Sequence, residues 1–243
     1  MAERNEGVGG EARDLGLAEA KSALAWWLDA GVDVAIAEAP RDWLKAPAAL
    51  QMPVPATPAV AERPAHESLD QFRLWLEQSD ALPLSGASPR RVLPRGNVEA
   101  PVMLLAEMPG AEDAAAGQPL SGECWDLAVA MLAAIGIAGD DAYCASLSCF
   151  HAPGAKLRGA DLEACAEIAR EHIRLARPQR LLLLGDAPCL ALLGKNLIAA
   201  RRHAHKVEGV RAVATFHPRH LIHRTLDKAR AWEDLLLLME DEA

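Results

Sequence analysis

Four short apolar runs, each bounded by turn or polar residues, constrain this chain more than any other feature. They are Val102 to Ala106, Ala142 to Leu147, Arg180 to Leu184 and Val210 to Thr215. Continuous apolar runs of this length suit strands covered on both faces. Helical stretches fall between or after them, at Cys124 to Ile135, Gly159 to Ala176, Ala187 to Leu193 and Leu226 to Met239. Strands alternating with helices predict an α/β fold, with a short parallel sheet of about four strands flanked by helices. Ligands of such sheets bind outside the carboxyl ends of the strands, so the residues that follow each run are the first candidates for function.

Upstream the pattern differs. Leu15, Leu17, Ala20, Leu24, Trp27 and Leu28 recur at helical spacing before Gly31, which predicts an amphipathic helix over 15–32. Between Ala46 and Ala65 stand Pro47, Pro53, Pro55, Pro58 and Pro64, a density that excludes helix and central strand. A second helical pattern, Ser68 to Gln78, has a capping serine and carries Phe72, Trp75 and Leu76 on one side. The chain therefore divides into an N-terminal helical extension (1–45), a Pro/Ala-rich linker (46–66) and a main domain (67–243). Trp26 and Trp27 suit packing on a core or contact with a protein partner.

Charge narrows the function classes. Lysine plus arginine total 25 against 34 aspartate plus glutamate, a formal charge of −9 over 243 residues. A broadly polybasic nucleic-acid binder is excluded. No apolar run approaches the roughly 18 residues of a membrane span, and the first ten residues are acidic and glycine-rich, so a cytoplasmic protein is expected. The five cysteines include no C-x-x-C pair, which suggests reduced thiols. His203 with His205, His220 with His223, and Cys144 with Cys149 lack the spacing of a zinc site, so no metal site is expected. The glycines near Gly110 match no phosphate-cradling fingerprint.

Two strand ends carry chemistry. The first delivers Glu107-Met108-Pro109-Gly110, then Glu112, Asp113 and the run Gly117 to Gly122. Pro109-Gly110 forces a turn that holds Glu107 at the sheet rim, where a carboxylate can position a water, while Gly110 permits close backbone approach. The fourth delivers His217-Pro218-Arg219-His220, then His223 and Arg224, with Pro218 ending the strand. Glu107 and His217 are thus expected to face one cavity. From Lys195 to Arg230 nine cations outnumber Glu208 and Asp227, a local positive field suited to a phosphate backbone.

These motifs together resemble family 4 uracil-DNA glycosylases. Glu107-Met-Pro-Gly with Glu112-Asp113 and Gly117-Gln-Pro-Leu-Ser-Gly122 resembles their first motif, GEAPG…ED…G-x-PF-x-G. His217-Pro-Arg-His-Leu-Ile-His-Arg224 resembles HPSYLLR, Leu181 to Gly185 resembles "LLLG", and Lys228 with Trp232 to Leu235 resembles "K…WEDL". The resemblance spans about residues 67 to 240 in unbroken order. It implies a three-layer α/β/α sandwich that takes a uracil or related deaminated base out of DNA, single- or double-stranded, and hydrolyses its N-glycosidic bond. By the same resemblance Glu107 and His217 are catalytic, Glu107 orienting water and His217 bonding the departing base. Met108, Pro109 and Gly110 line the base pocket, and a loop with Arg219, His220, His223 and Arg224 enters the DNA.

The sequence departs from that family at specificity and cofactor positions. Leu120 stands where a phenylalanine stacks on uracil, Ser146 near the place of an asparagine that reads its edge, and Trp125 replaces a glycine. The family's four-iron four-sulfur cluster uses four cysteines. Ser79 and Leu82 replace two of them, and Cys149 and Cys165 match the others, so no cluster is expected. Two readings follow: a glycosylase of altered or reduced base specificity, and a catalytically lapsed module of the same fold that binds DNA or a partner.

Overall fold

The computed structural model describes residues 66–240, together with 21, 22 and 25–27. The chain forms two units, 1–56 and 57–243. In the first, residues 21, 22 and 25–27 are helical, with Trp26 and Trp27 exposed. The rest of the expected helix over 15–32, and the proline-rich linker up to residue 65, lie outside the described residues.

The described residues of the second unit begin with His66, whose backbone N–H donates to Glu171, and with α1, Leu69–Gln78, capped by Ser68. The elements that follow are β1 (Arg95–Gly96), β2 (Val102–Ala106), α2 (Ala111–Ala116), α3 (Glu123–Ala134) and β3 (Ala142–Ser146). Then come α4 (Gly159–Ala176), β4 (Arg180–Leu184), α5 (Asp186–Leu193), α6 (Leu197–Ala200), β5 (Ala204–Val207), β6 (Val210–Thr215), α7 (Pro218–His223) and α8 (Lys228–Met239).

The four apolar runs pair in parallel, as expected, and they lie in the order β3-β2-β4-β6. Alternation along each strand explains why they are apolar throughout. Met103, Leu105, Leu181, Leu183, Ala212 and Ala214 pack with Cys165 and Ile173 of α4 and with Cys189 and Leu192 of α5. Val102, Leu104, Leu182, Leu184 and Val213 face the other way, against Ala128 and Leu132 of α3 and Leu235 and Leu238 of α8. None of these strand residues is more than 2 % exposed, so both faces are covered and the layers are α/β/α.

The sheet has six strands because antiparallel β1 and β5 close its edges. Two-residue β1 is too short for any periodicity to mark. β5 reads Ala-His-Lys-Val and hid within the basic stretch. A tight two-residue turn, Glu208-Gly209, joins it to β6, and both residues take the positive φ that such hairpins require. The segment expected as a loop over Arg219 to Arg224 is largely helix: Pro218 supplies a preset first turn and the His217 side chain caps it.

Candidate functional site

In chain order the parallel strands are β2, β3, β4 and β6. From β2 the chain crosses to β3 on one side, and from β3 it returns to β4 on the other. The order reverses between β2 and β4, and ligand crevices open at such switch points. Glu107 follows β2 there, and Gly185-Asp186 follows β4.

Glu107 is fixed by backbone rather than by side chains. Its Oε1 accepts the N–H groups of Asp186 at 2.6 Å and Ala187 at 3.4 Å, the amides at the start of α5. Unpaired amides and the helix dipole both favour a carboxylate at that end. Gly185 makes the approach possible: it adopts φ +98°, and a Cβ there would overlap the Glu107 carboxylate. The carboxylate opens onto a cleft of about 670 Å³, whose wall includes Met108, Pro109, Gly110, Asp186 and Arg219.

Asp113 ties the walls of this cleft together. One of its oxygens accepts the Gly110 N–H at 2.7 Å and the other the Ser121 N–H at 2.6 Å, although the residue is only 4 % exposed. The Arg219 guanidinium lies 3.4 Å from the first oxygen and packs against the Gly110 Cα, where an added Cβ would come within 2.6 Å of Nη2. Opposite, His151 donates from Nδ1 to the Pro109 carbonyl at 2.7 Å, pinning the loop after β3 to the turn after β2.

His217 follows β6, two strands from β2, so strand spacing separates their axes by roughly 10 Å. It is 6 % exposed and does not line the 670 Å³ cleft. Its Nδ1 accepts the Arg219 N–H at 3.1 Å. Burial, with the Arg219 cation second, lowers its pKa to about 3. The imidazole is therefore neutral near pH 7, and an accepting Nδ1 leaves the proton on Nε2, a donor.

The other expected residues spread out. Leu120, 1 % exposed at φ +53°, packs in the core between the sheet and α3. Ser146 ends β3 and borders a separate internal cavity of about 20 Å³. Trp125 lies beneath the Arg95 guanidinium, 3.9 Å from the ring centroid, and lines no part of the cleft. His220 stacks on Phe216 and donates to Asp227 at 2.8 Å, while His223 and Arg224 are exposed. Arg201 corrects the reading of the basic stretch as a surface field: it is 9 % exposed and paired at 2.7 Å with fully buried Asp234.

The residues at the expected cluster position do not fit a four-thiolate group. Leu82 is 4 % exposed and packs with Phe72, Leu76, Phe150 and Ile168. The Ser79 hydroxyl accepts the Ala81 N–H. Cys149 and Cys165 border the 20 Å³ cavity, room for about one water. Burial pushes the Cys149 thiol up to about 12, against the thiolate that iron needs. Among the described residues no group of three or more His, Cys, Asp or Glu could hold a metal ion.

Sequence reasoning passed over the 151–159 loop, which forms much of the cleft and carries His151 and the exposed Lys156 and Arg158. Pro153-Gly154 after β3 was the available signal, the same turn chemistry that marks the end of β2.

A family model described as the uracil DNA glycosylase superfamily matches residues 93–236. A type-4 uracil-DNA glycosylase of Pyrobaculum aerophilum is 22 % identical over 180 residues, which cover 70 % of this chain and 92 % of that protein.

Proposed function

The chain belongs to the uracil-DNA glycosylase superfamily, and on that footing we propose that it hydrolyses the N-glycosidic bond of uracil or a related deaminated base in DNA. The observation that carries the reading is a carboxylate held by helix-end amides at the switch crevice of the sheet. A base inside a duplex cannot be reached, so the nucleotide must leave the stack and enter the cleft. Glu107, with Oε1 occupied by the α5 amides, has Oε2 to orient a water toward the sugar carbon C1′. The water oxygen bonds to C1′, its proton passes to the carboxylate, and the C1′–N bond breaks with its electron pair going to the base. His217, neutral and outside the cleft wall, acts one step removed: its Nδ1 accepts the Arg219 N–H and so positions Arg219 at the cleft. Lys156, Arg158, His223 and Arg224 provide exposed cations and donors for phosphates.

No helix among the described residues is long and apolar enough to cross a membrane. The second reading, a lapsed module that binds DNA without cleaving it, draws on Leu120 and Ser146 standing apart from the cleft. Single-turnover assays on uracil, hypoxanthine and xanthine oligonucleotides separate the two. Abasic product that Glu107→Ala abolishes supports the glycosylase; salt-sensitive binding with no product from any of them supports the module.

A further inference from the structure

We propose that Arg219 reads the edge of the extruded base and makes this cleft selective for deaminated purines, hypoxanthine and xanthine, over uracil. This rests on the glycosylase reading above and deepens it.

The cations around the cleft differ in how they are held. Lys156 and Arg158 stand exposed on a loop, the setting of groups that track a mobile phosphate backbone. Arg219 lines the same cleft but is braced: its guanidinium packs on the Gly110 Cα and lies 3.4 Å from buried Asp113, and its own backbone N–H is bound to His217. Asp113, which also accepts two short backbone hydrogen bonds, and the Cys124 thiol each bond the guanidinium, which holds the fork in place and leaves the remainder of its N–H donors. A guanidinium carries five N–H donors in one plane. A fork fixed in a cleft is suited to two adjacent acceptors.

Hypoxanthine and xanthine present such a pair, O6 and N7, the edge by which arginine reads guanine. Adenine offers N7 beside an amino donor and is repelled. Uracil has O4 beside a C–H and can take only one bond of the fork. The cleft also lacks the stacking and amide groups that would favour uracil: Leu120 is core, and Ser146 borders another cavity. At about 670 Å³ it has room for a two-ring base with its sugar. Guanine shares the O6/N7 edge, so its rejection falls to the greater cost of extruding a correctly paired base.

The test compares single-turnover cleavage of hypoxanthine, xanthine and uracil oligonucleotides by the full chain and by Arg219→Lys and Arg219→Ser. Binding of each lesion-containing duplex is measured alongside. The expected result is a purine-to-uracil rate ratio above one that falls about 5- to 150-fold in both variants, the value of one two-pronged contact. Arg219→Lys, which keeps the charge, should retain affinity for undamaged DNA. A ratio unchanged by either variant, with DNA affinity lost equally for every sequence in Arg219→Ser, would make Arg219 a phosphate clamp and overturn the proposal. Cleavage of uracil alone would overturn it and leave the glycosylase reading standing. If no oligonucleotide is cleaved, the glycosylase reading fails, and equal binding of hypoxanthine and uracil duplexes would remove this proposal too.

Discussion

Glu107 Oε1 accepts the backbone N–H of Asp186 at 2.6 Å, joining residues 79 positions apart across the point where the strand order reverses. Glu107→Gln keeps the size and the accepting oxygen but removes the charge. It should cost about 1 kcal/mol of stability or less, while single-turnover cleavage falls at least 100-fold, since a neutral amide takes no proton from water. Urea unfolding and the cleavage assay, run on one preparation, check both halves. Equal cleavage by Gln and Glu would remove Glu107 from the chemistry.

Gly185→Ala tests the same contact from the other side. The added methyl would overlap the Glu107 carboxylate at a backbone position of φ +98°, so the carboxylate must leave the α5 amides. Cleavage should drop with Glu107 itself intact, together with about 1–3 kcal/mol of stability from the strained backbone. A crystal structure of the variant would show the displaced carboxylate. Unchanged activity would mean that the helix-end bond is not needed.

Asp113 should prove a positioning residue rather than a catalytic one. Asp113→Ala strands the N–H groups of Gly110 and Ser121, the second of them in a buried bond, at about 1–3 kcal/mol each. Asp113→Asn retains one accepting oxygen and should recover part of the loss. Thermal unfolding ranks the three proteins. A true positioning role also predicts that the pH profile of cleavage keeps its shape in Asp113→Asn while its height falls.

Acid should destabilise the main domain from about pH 6.5 downward. Burial lowers both His172 and His217 to about 3, far below an unfolded histidine. Between those values the unfolded chain binds protons that the folded chain refuses, so stability is complete above the unfolded pKa and is lost as pH falls toward 3. Each histidine contributes a slope of up to about 1.4 kcal/mol per pH unit. The urea midpoint at pH 7.5 and pH 5.0 measures it, and His172→Phe should shrink the difference. An equal difference in the variant would exclude His172, which bonds the Tyr143 hydroxyl at 2.8 Å in the core.

Apolar packing should do at the α1 end what a cluster does in the family the motifs resemble. Leu82→Ala is expected to cost about 2–4 kcal/mol, as for a buried leucine, and an iron chelator should leave the unfolding midpoint of the native protein unchanged. A visible thiolate-to-iron absorption band after reconstitution with iron and sulfide would contradict this.

The four parallel strands were legible because burial on both faces makes a strand apolar at every position, and that requirement is local to each run. The strand-end rule then singled out Glu107 without knowledge of its partners. Edge strands β1 and β5 escaped because one has two residues and the other carries polar side chains, so neither leaves a periodic mark.

What sequence alone determined, then, is the layered order of strands and helices and the residues that end each strand, since these follow from hydrophobic pattern and turn chemistry. What only the tertiary structure decided is which of those ends meet. Glu107 rests on the amides of α5, Arg219 on Gly110 and Asp113, and His151 on Pro109. Leu120 and Arg201, by contrast, turn into the interior. Contacts between residues 40 to more than 100 positions apart depend on the order in which strands lie in the sheet, and no local stretch of chain encodes that order.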